Sequence, residues 1–175
     1  MKKPVFMAAF AGGAIFSLAL FSQNFAYVGA KKCQICHKTE KQGMQYPIWE
    51  KSLHFKSAAA LTSAMAGQMA QTLGITGPLA ENEKCQKCHA PLFQKAPDLK
   101  NEGVTCEACH GPGSEYKKLS LMQNREEALK NGLTHLQNQE EIQKSCLACH
   151  ENSHGIKFDF AAAHEKIKHL IPRSQ

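Results

Sequence analysis

Four short runs decide how this chain is read: Cys33-Gln34-Ile35-Cys36-His37, Cys85-Gln86-Lys87-Cys88-His89, Cys106-Glu107-Ala108-Cys109-His110 and Cys146-Leu147-Ala148-Cys149-His150. Together they use all eight cysteines. Cys-x-x-Cys followed at once by His is the attachment signature of c-type haem. On a helical turn, positions i, i+3 and i+4 share a face. Two thiols there can form thioethers to the haem vinyl groups while the adjacent imidazole turns toward the iron. The reading is four covalently bound haem c groups, with His37, His89, His110 and His150 as the first iron ligands.

Zinc is the rival reading, because paired Cys-x-x-Cys units also build ribbons and knuckles. Zinc does not require a histidine directly after every second cysteine. With nine histidines in 175 residues, four such placements by chance come to roughly one in 10⁵ against the zinc motif. A disulfide framework gives no histidine pattern either.

Working outward, Lys2 and Lys3 precede an apolar run from Val5 to Phe21, interrupted only by Gly12, Gly13 and Ser17, and a polar stretch follows at Ser22–Asn24. This is the layout of a secretory signal, with residues 1–26 removed after Ala26 (Ala30 is the other candidate). The alternative is an uncleaved membrane anchor, though about 17 residues is short of the usual span of about 20. Either reading places the haem domain outside the cytoplasm, in the periplasm or extracellular.

Residues 27–175 then form one tetrahaem domain. Four haems in a chain this short must supply much of the apolar core themselves. The formal charge of +6 falls to +4 without Lys2 and Lys3, and four ferric haems with their propionates contribute about −4. The loaded protein is near neutral, which removes the case for nucleic-acid binding. Lys31-Lys32 and Lys117-Lys118 read as a solvated face, or as a guide for an acidic partner.

No segment alternates with period two, so the expected class is mainly α, loop-rich, without sheet. One long helix is expected over 48–70, after Pro47. Gly111 should cap the helix of the third motif. Further helices are expected over 115–130, ending at Asn131-Gly132, and over 158–170, stopped by Pro172. Asn138 with Glu141 resembles a capping box before the fourth motif.

The sixth position of each iron separates carrier from catalyst, because an open iron binds small molecules. Five histidines remain. His54 shares a helical stripe with Ala58, Leu61, Met65 and Met69 and so faces inward. His135 follows Gly132 in a loop. His154 lies just past the fourth motif. On the last helix, periodicity groups His164 with Phe160, Ile167 and Ile171, while His169 points elsewhere. Met65 and Met69 read as packing residues.

The chain resembles the tetrahaem cytochrome c-554 family, whose archetype accepts electrons from hydroxylamine oxidoreductase in ammonia-oxidising bacteria. The resemblance rests on Tyr27-Val28-Gly29, Trp49, Ser52-Leu53-His54, the block from Gly103 to Tyr116, and the tail from Phe158-Asp159-Phe160 to Ile167-Lys168-His169. The block at the third motif is the most specific. The resemblance implies haems in closely stacked pairs, mostly bis-histidine ligated, and His54, His135 and His169 as distal ligands. In the archetype the second haem is five-coordinate beneath a blocking proline. Here Glu151-Asn152-Ser153-His154-Gly155 stands in that segment, and ligand counting gives His154 to the second haem. Two function classes follow. One is an electron carrier between redox partners, such as a hydroxylamine oxidoreductase-like or quinol-linked protein. The other is a reductase of nitric oxide, nitrite or hydroxylamine at an open haem. A subunit of an extracellular conduit is a further alternative.

Overall fold

The computed structural model describes residues 24–151 and 153–170. The basic start and the apolar run at 5–21 lie outside the described residues, as does Pro172. Among the described residues there are helices and turns and no strand, the all-helical, loop-rich class that the absence of period-two alternation implies. No described helix is long and apolar enough to cross a membrane.

The helices in chain order are α1 Ala30–His37, α2 Gln45–Lys51, α3 Leu53–Ala60, α4 Ala64–Thr72, α5 Glu83–His89, α6 Cys106–His110, α7 Leu119–Met122, α8 Arg125–Lys130, α9 Gln139–His150 and α10 Phe160–Ile167. Four of them, α1, α5, α6 and α9, carry the Cys-x-x-Cys-His units, and each ends on the motif histidine. Every motif imidazole therefore leaves from a helix C-terminus, where the chain can turn away.

The single helix expected over 48–70 is three helices. Ser52 takes an extended backbone and its hydroxyl accepts from Phe55 N–H, and Ser63 does the same toward Ala66 N–H. Serine at these positions offers the backbone a cap, which competes with continuing the helix. The stripe from His54 to Met69 is consequently split, and Met65 is exposed. The helix expected over 115–130 is likewise two, because Asn124 caps α8 through Glu127 N–H. α8 does end at Asn131-Gly132. The last helix is shorter than expected: Asp159 caps its start, and Lys168 takes an extended backbone (φ −58°, ψ 145°).

Gly111 stands at the C-cap of α6 with φ 80°. A Cβ there would collide with the carbonyl of Gly132, which lets Thr134 N–H reach His110 O at 2.9 Å. Asn138 accepts from Glu141 N–H at 2.9 Å. The Glu141 carboxylate reaches back to Gln137 N–H rather than to Asn138 alone.

The protein core is small. Ala30, Tyr46 and Trp49 form its main cluster. Trp49 meets Tyr46 and Phe55 at ring-centroid distances of 5.3 and 5.0 Å and donates its indole N–H to Val104 O at 2.8 Å. The most buried large side chain is a carboxylic acid. Glu107, 1% exposed, accepts from Val28 N–H, Gly29 N–H at 2.7 Å and Gly113 N–H at 2.6 Å. Ala26 N–H donates to the Ser114 hydroxyl at 3.1 Å, and Ser114 N–H donates back to Ala26 O at 3.0 Å. The N-terminal strand of chain is thus tied down from Ala26 onward against the third motif.

Candidate functional site

The histidines fall into pairs. His54 of α3 faces His150 at the end of α9, with ring centroids 6.0 Å apart. His89 at the end of α5 faces His154 at 6.1 Å. His110 at the end of α6 faces His169 at 5.7 Å. Each pair joins one motif histidine to one of the candidate second ligands. Burial lowers the pKa of His54, His150 and His169, and pushes His110 down to about 4. These rings are neutral near pH 7, the form in which imidazole binds metal.

Three histidines stand outside the pairs. His37 ends α1, and among the described residues no histidine ring lies across from it at such a distance; its Nδ1 is buried and has no hydrogen-bond partner. His135 is exposed and its Nδ1 meets Glu141 Oε1 at 2.8 Å. His164 stacks on Phe160 at 5.3 Å, so the helical periodicity that groups these two residues is real but leads to packing. His169 is beyond the end of α10, where helical angles no longer govern its direction. Hydrogen bonds hold both its neighbours: Lys168 N–H donates to His164 O and Leu170 O accepts from Gln45 Nε2 at 2.9 Å.

His154 occupies the turn Ser153–Gly155 and is itself left-handed, with φ 56° and ψ 25°. Gly155 also has positive φ. A non-glycine residue in that region costs roughly 1–2 kcal/mol, and the conformation turns the ring back toward His89.

The cysteines approach one another between motifs. Cys33 and Cys106 share a hydrogen bond, and that bond with burial raises the Cys106 thiol pKa. Cys88 Sγ lies 3.9 Å from Cys149 O, and burial, with Cys88 alongside, pushes the Cys149 thiol up to about 12. Burial and then Cys146 raise Cys109. The first motif is therefore beside the third, the third beside the fourth, and the fourth beside the second.

Residues 32–111 match the family model described as cytochrome c554 and c-prime. Those residues are similar to the cytochrome c554 family. A curated relative, cytochrome c-554 of Nitrosomonas europaea, is 30% identical over 100 residues, covering 52% of this chain. The chain spans about 40% of that relative's length. No solved structure matches the chain. The family match takes in the first three motifs; the fourth stands on its own pentapeptide.

The family implies covalent haem c, and the residues fit that group. A metal held between two imidazoles at about 2 Å from each nitrogen sets their ring centroids about 6 Å apart, which is the spacing of all three pairs. The donors are also arranged in twos. Among the described residues no three or more Cys, His, Asp or Glu side chains converge as a metal-binding group, whereas structural zinc takes four.

Several site residues are not evident from the sequence. Phe158 stacks on His150 at 4.6 Å and 12°; its place in the family-like tail was the available signal. Glu107 reads as a spacer inside a motif and is the anchor of the N-terminal segment. Ser57 reads as an ordinary helical serine, yet its carbonyl meets His89 Nδ1 at 3.0 Å.

Proposed function

We propose that this chain is an exported tetrahaem cytochrome c that relays electrons between redox proteins outside the cytoplasm. The observation that carries this reading is the set of three imidazole pairs at 5.7–6.1 Å, each built on a different Cys-x-x-Cys-His unit. Cys33, Cys36, Cys85, Cys88, Cys106, Cys109, Cys146 and Cys149 anchor four haems. His37, His89, His110 and His150 are the first ligands. His154, His169 and His54 are the second ligands of the second, third and fourth motifs respectively. The family resemblance gives His135 to the first motif, and the other unpaired donor, His164, is stacked on Phe160.

Haem iron, when bound, supplies reversible one-electron chemistry. The protein's part is to hold neutral imidazoles in place, to exclude water and to set the potential. Histidine on both sides, without the methionine that raises potential, favours low values. The neighbouring cysteines order the four sites as first, third, fourth, second, with the first–third and second–fourth sites as the close pairs. That arrangement suits a conduit that accepts an electron at one end and passes it on at the other. Donor and acceptor are redox proteins, of hydroxylamine oxidoreductase-like or quinol-linked type.

Intact mass of the mature protein tests the central claim. The expected mass is the polypeptide plus four haems; zinc, or fewer than four haems in fully matured protein, overturns it.

One observation favours a second reading. Among the described residues no histidine ring faces His37 at the distance of the three pairs, and His135 is engaged by Glu141. An iron on the first motif with an exchangeable sixth position would make the protein a reductase of a small nitrogen oxide or hydroxylamine.

A further inference from the structure

Ser57 is the most connected polar side chain between two of the candidate ligand sites. It sits on α3, one turn after His54. Its hydroxyl lies 2.7 Å from His54 O and 2.8 Å from His89 O, and accepts from Val104 N–H at 3.0 Å. Its carbonyl faces His89 Nδ1 at 3.0 Å. The neighbouring Gly103 has φ 67°, and a Cβ there would stand 2.6 Å from the Ser57 hydroxyl, so the chain passes this point closely enough for only a glycine.

We propose that Ser57 is a positioning residue: its hydroxyl locks α3 to the second motif so that its own carbonyl holds the Nδ1–H of His89, turning Nε2 of that ring toward His154. The inference rests on the reading of His89 as a haem ligand. A ligating histidine that donates its other ring N–H to a carbonyl is fixed in tautomer and orientation and is a stronger base. A stronger base favours the oxidised iron, so the contact lowers the potential at that motif. Because the same hydroxyl meets His54 O, and His54 faces His150, one side chain sets the geometry of the second and fourth sites together. The hydroxyl has one proton for two carbonyls, so it is shared between them, and the Val104 N–H completes its bonding. Losing it takes the donor from His89 O, while Val104 N–H keeps His54 O at 3.0 Å, and lets α3 shift against α5.

The loaded protein provides the test. In the reduced wild type, the Nδ1 proton of His89 is expected to survive transfer to D₂O beyond the dead time of a proton spectrum. Its immediate loss overturns the proposal, whether or not any variant folds. Ser57→Ala is expected to speed that exchange at least tenfold. It should also move the second haem's reduction equilibrium roughly threefold to tenfold toward the reduced form, with all four haems retained. Ser57→Thr, which keeps the hydroxyl, should restore both. An unchanged potential in Ser57→Ala, or the same shift in Ser57→Ala and Ser57→Thr, overturns the positioning role. If the His89 ring protons of the wild type lack the ring-current shift of a haem ligand, the ligand assignment falls first and this inference falls with it.

Discussion

Replacing Glu107 by alanine would strip the acceptor from three backbone N–H groups at once, those of Val28, Gly29 and Gly113. An unsatisfied buried donor costs about 1–3 kcal/mol, and three of them cannot all find water where the side chain is 1% exposed. Glu107→Ala should therefore destabilise the loaded protein by about 3 kcal/mol or more, read as a lower midpoint in guanidinium unfolding. Glu107→Gln should lose less, since its carbonyl still accepts while its amide faces donors. Equal stability of wild type and Glu107→Ala would show that the N-terminal segment is held by something else. A spacer position inside Cys-x-x-Cys-His is otherwise unconstrained, and here it fastens the start of the chain to Gly113.

At the scale of elements, the deciding feature is where α10 stops. Had the helix run on to Leu170, periodicity would have given His164 the inward direction and left His169 pointing away. Lys168 leaves the helix, and His169 falls beside His110 while His164 stacks on Phe160. His169→Ala should open one iron and produce a high-spin signal by electron paramagnetic resonance, with the covalent haem retained. His164→Ala should leave the signal as in the wild type. The reverse result would restore the periodicity argument. The serine and asparagine caps act at this scale too. Ser52, Ser63 and Asn124 divide two expected helices into five short ones, and the resulting bends bring α3 against α5 and the turn Pro97–Glu102.

For the whole molecule, the proposed function shares nine histidines among four irons. Three pairs account for six, and His37, His135 and His164 remain. On the proposed assignment, His154→Ala in oxidised protein should give one new high-spin iron, that of the second motif. A wild-type high-spin signal that His154→Ala leaves unchanged would refute the cap on the second haem. If His135→Ala also left it unchanged, neither His135 nor His154 would be a ligand and the reductase reading would lead.

The sequence by itself determined the all-helical class, and it carries the proposed haem chemistry and first ligands because the cysteines and histidine of each motif lie within five residues on one turn. It also exposed the candidate second ligands, since few histidines were left to choose from. Only the tertiary structure decided the partners. His54 meets His150 across about half the length of the chain, His154 turns back to His89, and Ser57 reaches the same ring from α3. Those pairings depend on where serine caps break helices and where glycines let backbones approach. Helical periodicity cannot report either, because it describes directions within an element and loses its meaning at the element's end.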